Sequence, residues 1–378
     1  MKKRPIIVQC ARTIHPNGGV SGVAYFLEQE FIKQGYQTER FTIENLPLGV
    51  LFRERKIKNI FFAKIYLFLS VCYYSIVGTI FLSFYKKKDR IIICHNDVLI
   101  GDIYVNHGLH KSLLEKNGYL KMFLKNPLHL FLYLREEIRF RYGNHKVIIT
   151  FSKADADELK SLYPIKGSKI IIIPNGIDVN KFFYNKELRK KIRKLYKVEN
   201  KFIMIFIGHE FERKGLKYII ESLKYLEDNV ILFVIGGNES MINKYKQISK
   251  KLNLEKRIYF FGYQKTINAF LNAADVMVLA SDIEPWGLVG IEAMATATPL
   301  ISTRTNGPKE YLIDGVNGFF VERDPKDIAN KIKTLIDNKN LYQTMCLNAR
   351  KTAEKYSWNK IVKKYLKIIN FLFRKKNV

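Results

Sequence analysis

Residues 5–43 read PIIVQCARTIHPNGGVSGVAYFLEQEFIKQGYQTERFTI. The apolar run Pro5–Ala11 predicts a short buried strand, and His15–Gly22 a glycine-containing loop. Val23, Phe26, Leu27 and Phe31 then recur at helical spacing, and Gly35 stands where a helix C-cap would. Tyr36–Ile43 alternates well enough for a second strand. Strand, helix and strand in so short a stretch form a βαβ unit, the opening of a doubly wound parallel sheet.

Working outward, Ile91–Cys94, Asp102–Asn106 and Lys146–Thr150 are further predicted strands. Ser152-Lys-Ala-Asp155 forms a capping box that opens a helix. Lys169–Pro174 is one more strand, followed by Asn175-Gly176-Ile177-Asp178. The charged, poorly periodic stretch Asn180–Asn200 marks the boundary. A second βα series follows, with strands at Phe202–Gly208, Val230–Gly236, Arg257–Phe261, Val276–Ala280 and Pro299–Ser302. Helices are expected along the Leu216–Leu226 stripe, over Met241–Leu252 and Gly287–Ala297, and from Asp324-Pro325 to about Asp337, with two more closing the chain. The expected architecture is α/β, with one doubly wound domain over residues 1–185 and a second over 186–355. Ligands of such sheets bind at strand C-termini, here in a cleft between the two domains.

Composition narrows the function. The chain has 378 residues and 64 Lys+Arg against 35 Asp+Glu, a net charge of +29. Cys10, Cys72, Cys94 and Cys346 are scattered, without a CxxC pair, which excludes a disulfide scaffold and a zinc site. The charge asks for an anionic partner: nucleic acid, acidic membrane or phosphorylated substrate. Richness in Lys, Ile, Asn, Tyr and Phe together also fits AT-rich coding, which accounts for lysines but not for scarce acids. The apolar part of the N-terminus, Ile6–Ala11, is too short for a signal h-region and Arg12 interrupts it, so a strand is expected. Ile65–Tyr85 carries 21 residues without a charge before Lys86-Lys87-Lys88. Its length could span a bilayer. Its serines, Gly78, Thr79 and four tyrosines favour a helix of the first domain, buried or touching the membrane interface.

Three loops carry candidate chemistry. Ser281-Asp-Ile-Glu284-Pro-Trp-Gly287-Leu288-Val289-Gly290-Ile-Glu292 follows a strand and opens a helix. Its glycines admit a ligand to the backbone, its first amides favour an anion, and Glu284 and Glu292 can each accept from vicinal hydroxyls. Gly208-His209-Glu-Phe-Glu-Arg213-Lys214-Gly215 also ends a strand. Arg213 offers a planar fork and Lys214 a point charge, which suits a diphosphate. Pro16-Asn17-Gly18-Gly19 could cradle a phosphate or sugar. His107 follows the strand Asp102–Asn106 and could contact a sugar hydroxyl. Asp155-Ala-Asp157 matches a metal motif in letters only: two apart on a helix, these side chains point to different faces, and a solvated face is expected. GxSxG, Walker, HExxH and kinase signatures are absent from the sequence.

Together these segments resemble the retaining glycosyltransferases of the GT-B fold, group 1, also called family 4. The resemblance rests on residues 15–36 (HPNGGVSGVAYFLEQEFIKQGY), on PNGID, on FIGHEFERKGLKYIIESL and on EPWGLVGIEAMATATPLISTRTNGPKEYLIDGVNGFFV. The RKG form is also similar to lipopolysaccharide-core glucosyltransferases. The resemblance implies two Rossmann-like domains, acceptor side first and donor side second, with residues 356–378 crossing back to the first. It implies that Arg213, Lys214 and the amides of Gly287, Leu288 and Val289 bind the donor diphosphate. Glu292 would hold the ribose hydroxyls, Glu284 the donor sugar, and Gly18 and Gly19 the donor phosphate or acceptor. His107 and Glu284 would be the catalytic pair. It further implies hexosyl transfer from a nucleoside-diphosphate sugar, with a UDP-sugar expected, and neither cofactor nor essential metal. Ala297, Trp286 and His209 depart from the family pattern.

The expected acceptor is a cell-surface glycan (lipopolysaccharide, capsule or another lipid-linked saccharide) met at the cytoplasmic face of the inner membrane. Lys86–Lys88, the basic apolar run Lys121–Arg141 and the terminal Phe373-Arg-Lys-Lys suit anionic lipid. A same-fold epimerase or phosphorylase is the alternative chemistry. A nucleic-acid-binding protein would explain the charge but lacks a recognition motif and leaves the Glu pair idle.

Overall fold

The computed structural model describes residues 4–16, 18–52 and 59–377. It divides into Met1–Gly176 with Trp358–Val378, and Ile177–Ser357.

The first unit contains β1 (Ile6–Cys10), α1 (Val20–Lys33), β2 (Thr38–Phe41), α2 (Ile60–Tyr85), β3 (Arg90–His95) and β4 (Ile103–Val105). It continues through α3 (His110–Asn117), α4 (Tyr119–Lys125), α5 (Leu128–Tyr142), β5 (Val147–Thr150), α6 (Lys153–Leu162) and β6 (Lys169–Ile172). The strands form one parallel sheet in the order β2-β1-β3-β4-β5-β6. Order reverses between β1 and β3, the topological switch point at whose carboxyl edge such sheets bind ligands. The Ser152 hydroxyl accepts from Asp155 N at 2.9 Å and starts α6 as its sequence directs. Asp157 is exposed, but Asp155 is buried, so the expected solvated face holds for one carboxylate only. Among the described residues no group of three His, Cys, Asp or Glu could hold a metal.

The uncharged stretch at 65–85 is part of α2, which has the length and apolarity to cross a membrane. One face of it is packed into the first unit. Tyr74 and Leu82 join Val8, Cys10, Phe41, Ile92 and Val98 in the core, and Tyr74 Oη donates to Phe41 O at 2.6 Å.

The second unit contains α7 (Lys186–Leu195), β7 (Phe202–Ile207), α8 (Leu216–Ser222), β8 (Val230–Ile235), α9 (Glu239–Lys251), β9 (Ile258–Gly262) and α10 (Asn268–Ala273). Then come β10 (Val276–Leu279), α11 (Leu288–Ala295), β11 (Leu300–Ser302), α12 (Pro308–Tyr311), β12 (Gly318–Phe320), α13 (Pro325–Asp337) and α14 (Lys339–Lys355). Its parallel order is β12-β11-β10-β7-β8-β9, with the switch point between β10 and β7.

The boundary differs from the expected 185/186. Asn180–Asn200 is not a linker, because it contains α7. Arg189 and Arg193, one helical turn apart on α7, both grip Asp275 just before β10. Asp275 also accepts from Ile203 N at 2.7 Å, which ties α7 to the second sheet. The helix carries only three apolar residues among its ten, Leu188, Ile192 and Leu195, and the pairs on Asp275 fix it to the second unit's sheet.

The last helix, α15 (Trp358–Lys376), belongs to the first unit, where it packs on α1 and β3. The Trp358 ring stacks on Phe26 with centroids 5.9 Å apart. A Cβ at Gly176 would lie 2.3 Å from that ring, so only glycine fits there. At its far end Lys376 Nζ donates to Asp102 Oδ2 at 2.8 Å and to Arg90 O at 2.9 Å. Asp102 is 1% exposed and also accepts from Ile92 N. Lys376→Met strands that carboxylate, and we expect a loss of about 3 kcal/mol in urea unfolding. Adding Asp102→Asn should recover much of it; an unchanged midpoint in the single variant would show that the pair contributes nothing.

Candidate active site

In the second unit the loops leaving β7 and β10, the two strands at the switch point, lie together. After β7 the chain passes Gly208, where a Cβ would strike the Lys214 stem at 2.4 Å. That absence of a side chain lets Lys214 lie across the strand end. Gly215 has φ +71°, and a Cβ there would sit 2.1 Å from Ala280 O. The loop after β7 can therefore press against the loop after β10. Asp282 N donates to Arg213 O at 2.8 Å, and the Arg213 guanidinium donates to Ile283 O.

This contact brings Lys214 Nζ to 2.7 Å from Glu284 Oε2. Both side chains are largely shielded, and Ser281 Oγ lies 3.4 Å from the same carboxylate oxygen. Arg213 also meets Glu210 at 2.7 Å. Burial opposes the Arg213 charge, but Glu210, Glu284 and Asp282 hold it above its ordinary range. Glu284 thus sits where a sugar hydroxyl could exchange with a lysine, and the Arg213–Lys214 pair where an anion could exchange with carboxylates.

The next segment folds back through Gly287, in the left-handed region at φ +77°, and no side chain caps α11. Tyr311 Oη donates to Gly287 O at 3.1 Å, and a Cβ at Gly290 would lie 2.7 Å from that hydroxyl. Tyr311 is the supporting residue that sequence reasoning missed. Its only signal was its place in the GPKEY segment. Trp286 is buried edge-on against Tyr311 and Tyr356. The amides of Leu288 and Val289 open the helix, where the macrodipole favours an anion. Glu292, on the second turn of α11, is partly buried, and burial pushes its carboxyl up to about 7 against the opposing pull of Lys181. Ala297 takes φ +59°, a backbone region that favours glycine.

The other candidates lie in the first unit. Gly18 has φ +96°, and Gly19 begins α1 with no atom near the place of a Cβ, so the backbone is open to a ligand. The neighbouring Asn17 lies outside the described residues. Ser21 Oγ accepts from His15 N at 2.8 Å and fixes this loop. His107 follows β4 as expected. Its Nε2 lies 3.0 Å from His95 Nδ1, and His95 Nε2 lies 2.7 Å from Gln9 Oε1. With the Gln9 oxygen accepting, His95 donates to Gln9, His107 donates to His95, and His107 Nδ1 is left as an acceptor. Burial lowers His95 to about 3, and burial with the neighbouring His95 lowers His107 well below its ordinary value. Both rings are neutral at physiological pH. Gln9 Nε2 and Asn106 Nδ2 are buried donors without a partner among the described residues. They lie at the carboxyl ends of β1 and β4, where a polar ligand would satisfy them.

Residues 188–352 match the family described as glycosyl transferases group 1. The second unit carries a group 1 glycosyltransferase domain. An uncharacterized glycosyltransferase of Methanocaldococcus jannaschii is 29% identical over 58% of this chain and 59% of its own length. The UDP-Gal:alpha-D-GlcNAc-diphosphoundecaprenol alpha-1,3-galactosyltransferase of Escherichia coli is 33% identical over 50% of this chain and 51% of its own. The chain thus spans little more than half of these curated relatives. The crystal structure of WaaG, a glycosyltransferase involved in lipopolysaccharide biosynthesis, covers 96% of this chain and 99% of its own, with a TM-score of 0.75 at 17% identity. The fold is therefore the GT-B architecture of two Rossmann-like units. In the glycosyltransferase domain the Lys214–Glu284 loop pair and the α11 start occupy the switch point of the sheet.

Proposed function

We propose that this chain transfers a hexose, with retention, from a nucleoside-diphosphate sugar to a saccharide acceptor of the cell surface. The observation that carries this reading is the Lys214–Glu284 pair, with Arg213 beside it, where the loops after β7 and β10 meet. A leaving diphosphate gains negative charge as the glycosidic bond breaks. Once the donor is bound, a guanidinium, an ammonium and helix-start amides aimed at the diphosphate stabilise that charge as the bond breaks. On donor binding Lys214 would turn from Glu284 to the diphosphate, releasing Glu284 to a sugar hydroxyl. Glu292 would accept from the ribose diol, and Gly18 and Gly19 would lie along the phosphate or the acceptor. His107, held by His95 and Gln9, would offer Nδ1 to a hydroxyl of the transferred sugar.

A UDP-sugar is the proposed donor. A lipid-linked or lipopolysaccharide-type acceptor at the cytoplasmic membrane face is supported by the relatives' described roles and by the basic surface of the chain. The cationic side chains supply the charge for which other enzymes use a metal, so transfer is proposed to need none. Thermal shift across nucleoside-diphosphate sugars, with and without a chelator, tests this. Uridine donors should raise the melting temperature equally in both conditions. No shift with any donor would overturn the reading, and a shift lost with chelator would overturn its metal independence.

A further inference from the structure

The outer face of α2 is apolar and open. Ile65, Leu69, Ile76, Ile80 and Phe84 fall on one side of the helix, and Phe62 joins them. Phe84 is 79% exposed and Ile76 55%. The opposite side is the packed one, with Ser70, Val71, Tyr74, Ser75, Gly78 and Leu82. That packed side is polar as well as apolar. Arg135 of α5 donates to Ser75 Oγ at 2.8 Å and pairs with Asp97 at 3.2 Å, and Leu99 N donates to Thr79 Oγ1 at 3.0 Å. From Ser70 to Leu82 the helix is therefore fastened to the first unit.

Two other helices of the first unit also expose apolar residues. On α5, Leu130, Leu134, Ile138 and Tyr142 recur every fourth residue and are exposed. On α4, Leu120 and Leu124 are more than 70% exposed, and each precedes an exposed lysine, Lys121 and Lys125. Lys64, within α2, and Lys86, Lys87 and Lys88, just past its end, are exposed. An exposed apolar face of this extent marks an interaction surface. The exposed lysines at the end of α2 and on α4 favour an anionic occupant.

We propose that α2 lies in the plane of an anionic bilayer, its outer face at the headgroup–acyl boundary and its inner face still packed in the first unit. The helix does not cross. Crossing would require Ser70, Ser75 and Thr79 to abandon Arg12, Arg135 and Leu99 N and would leave Asp97 without its arginine. In-plane seating keeps these bonds and buries only what is already exposed. The inference rests on the membrane part of the proposed function and names the surface that performs it.

Flotation of the full chain with phosphatidylglycerol-containing and pure phosphatidylcholine vesicles tests it. Binding is expected on the anionic vesicles, weakened at least tenfold on neutral ones and by high salt. Ile76→Glu with Ile80→Glu should abolish binding, while the melting temperature and its shift by a UDP-sugar stay unchanged, because both residues face outward. The donor shift also separates this inference from the glycosyl-transfer reading, since it reports the second unit without lipid. Three results would overturn the proposal. One is no binding to any vesicle. Another is retention in membranes after alkaline carbonate, which indicates a span. The third is a lipid-free dimer that the double substitution dissociates, which assigns the face to a second copy.

Discussion

Lys214→Met is expected to lower the transfer rate by roughly 10²–10³-fold, the cost of losing one fixed charge that stabilises a developing anion. Methionine keeps most of the stem that crosses Gly208, so the loop after β7 retains its shape and the change is chiefly electrostatic. The same substitution leaves Glu284, 7% exposed, with a distant serine hydroxyl in place of an ammonium at 2.7 Å. A buried carboxylate deprived of its cation destabilises the native state, here by about 2–3 kcal/mol. The two effects separate in a double variant. Adding Glu284→Gln removes the stranded charge and should restore most of the melting temperature while activity stays lost. Wild-type turnover in the single variant would remove Lys214 from the mechanism. A double variant no more stable than the single would show that the ion pair is not what holds the two loops together.

Glu292→Gln should produce opposite effects on stability and function. Burial raises the carboxyl from its ordinary 4.5 to about 7. The folded state therefore holds a proton that the unfolded chain releases. Stability is full below the unfolded value, falls as pH rises from about 4.5 to about 7, and is level above that. At pH 8 the native state has lost at most about 3 kcal/mol through this one group. Glutamine is neutral throughout. The variant should match the parent near pH 4 and unfold at a higher temperature at pH 8. Its affinity for a uridine donor should fall at least about tenfold at pH 8, where the parent offers a carboxylate to the ribose hydroxyls. Parent affinity should rise with pH through about 7 and the variant's should not. Calorimetry and donor titration across pH 5–8 check both. Equal affinities would remove Glu292 from the donor site, and no gain in stability would show that burial does not penalise its charge.

Much of this site was legible from local signals. Glycine at 208, 215, 287 and 290, charge at 213 and 214, and acids at 284 and 292 stand beside predicted strand ends, and the structure places all of them at the β7–β10 switch point or on the helix that leaves it. The βαβ reading of residues 5–43 was likewise legible, because apolar periodicity over a few turns decides whether a segment buries one face as a helix or both as a strand. The boundary at 185 failed for a physical reason. The segment after Gly176 includes α7, which Arg189 and Arg193 hold on Asp275, and a partner more than 80 residues away is set by the fold and not by local spacing. The motif Asp155-Ala-Asp157 gave its helix correctly but not the burial of its first carboxylate, which depends on neighbours remote in the chain.

The +29 charge is likewise divided by the fold. Arg213 and Lys214 stand at the candidate donor site, Arg189 and Arg193 are structural, and Lys86–Lys88 past α2 and Lys121 and Lys125 on α4 are exposed in the first unit. Sequence alone determined the alternation of strands and helices, the parallel sheets and the loops that carry charge, since these follow from short-range spacing and turn chemistry. Only the tertiary structure decided which charges meet. Lys214 finds Glu284 across 70 residues and Lys376 finds Asp102 across 274. It also decided which side of α2 is left open. A helix that is apolar all round states no preference, and the serines bonded to Arg12 and Arg135 choose its inner face.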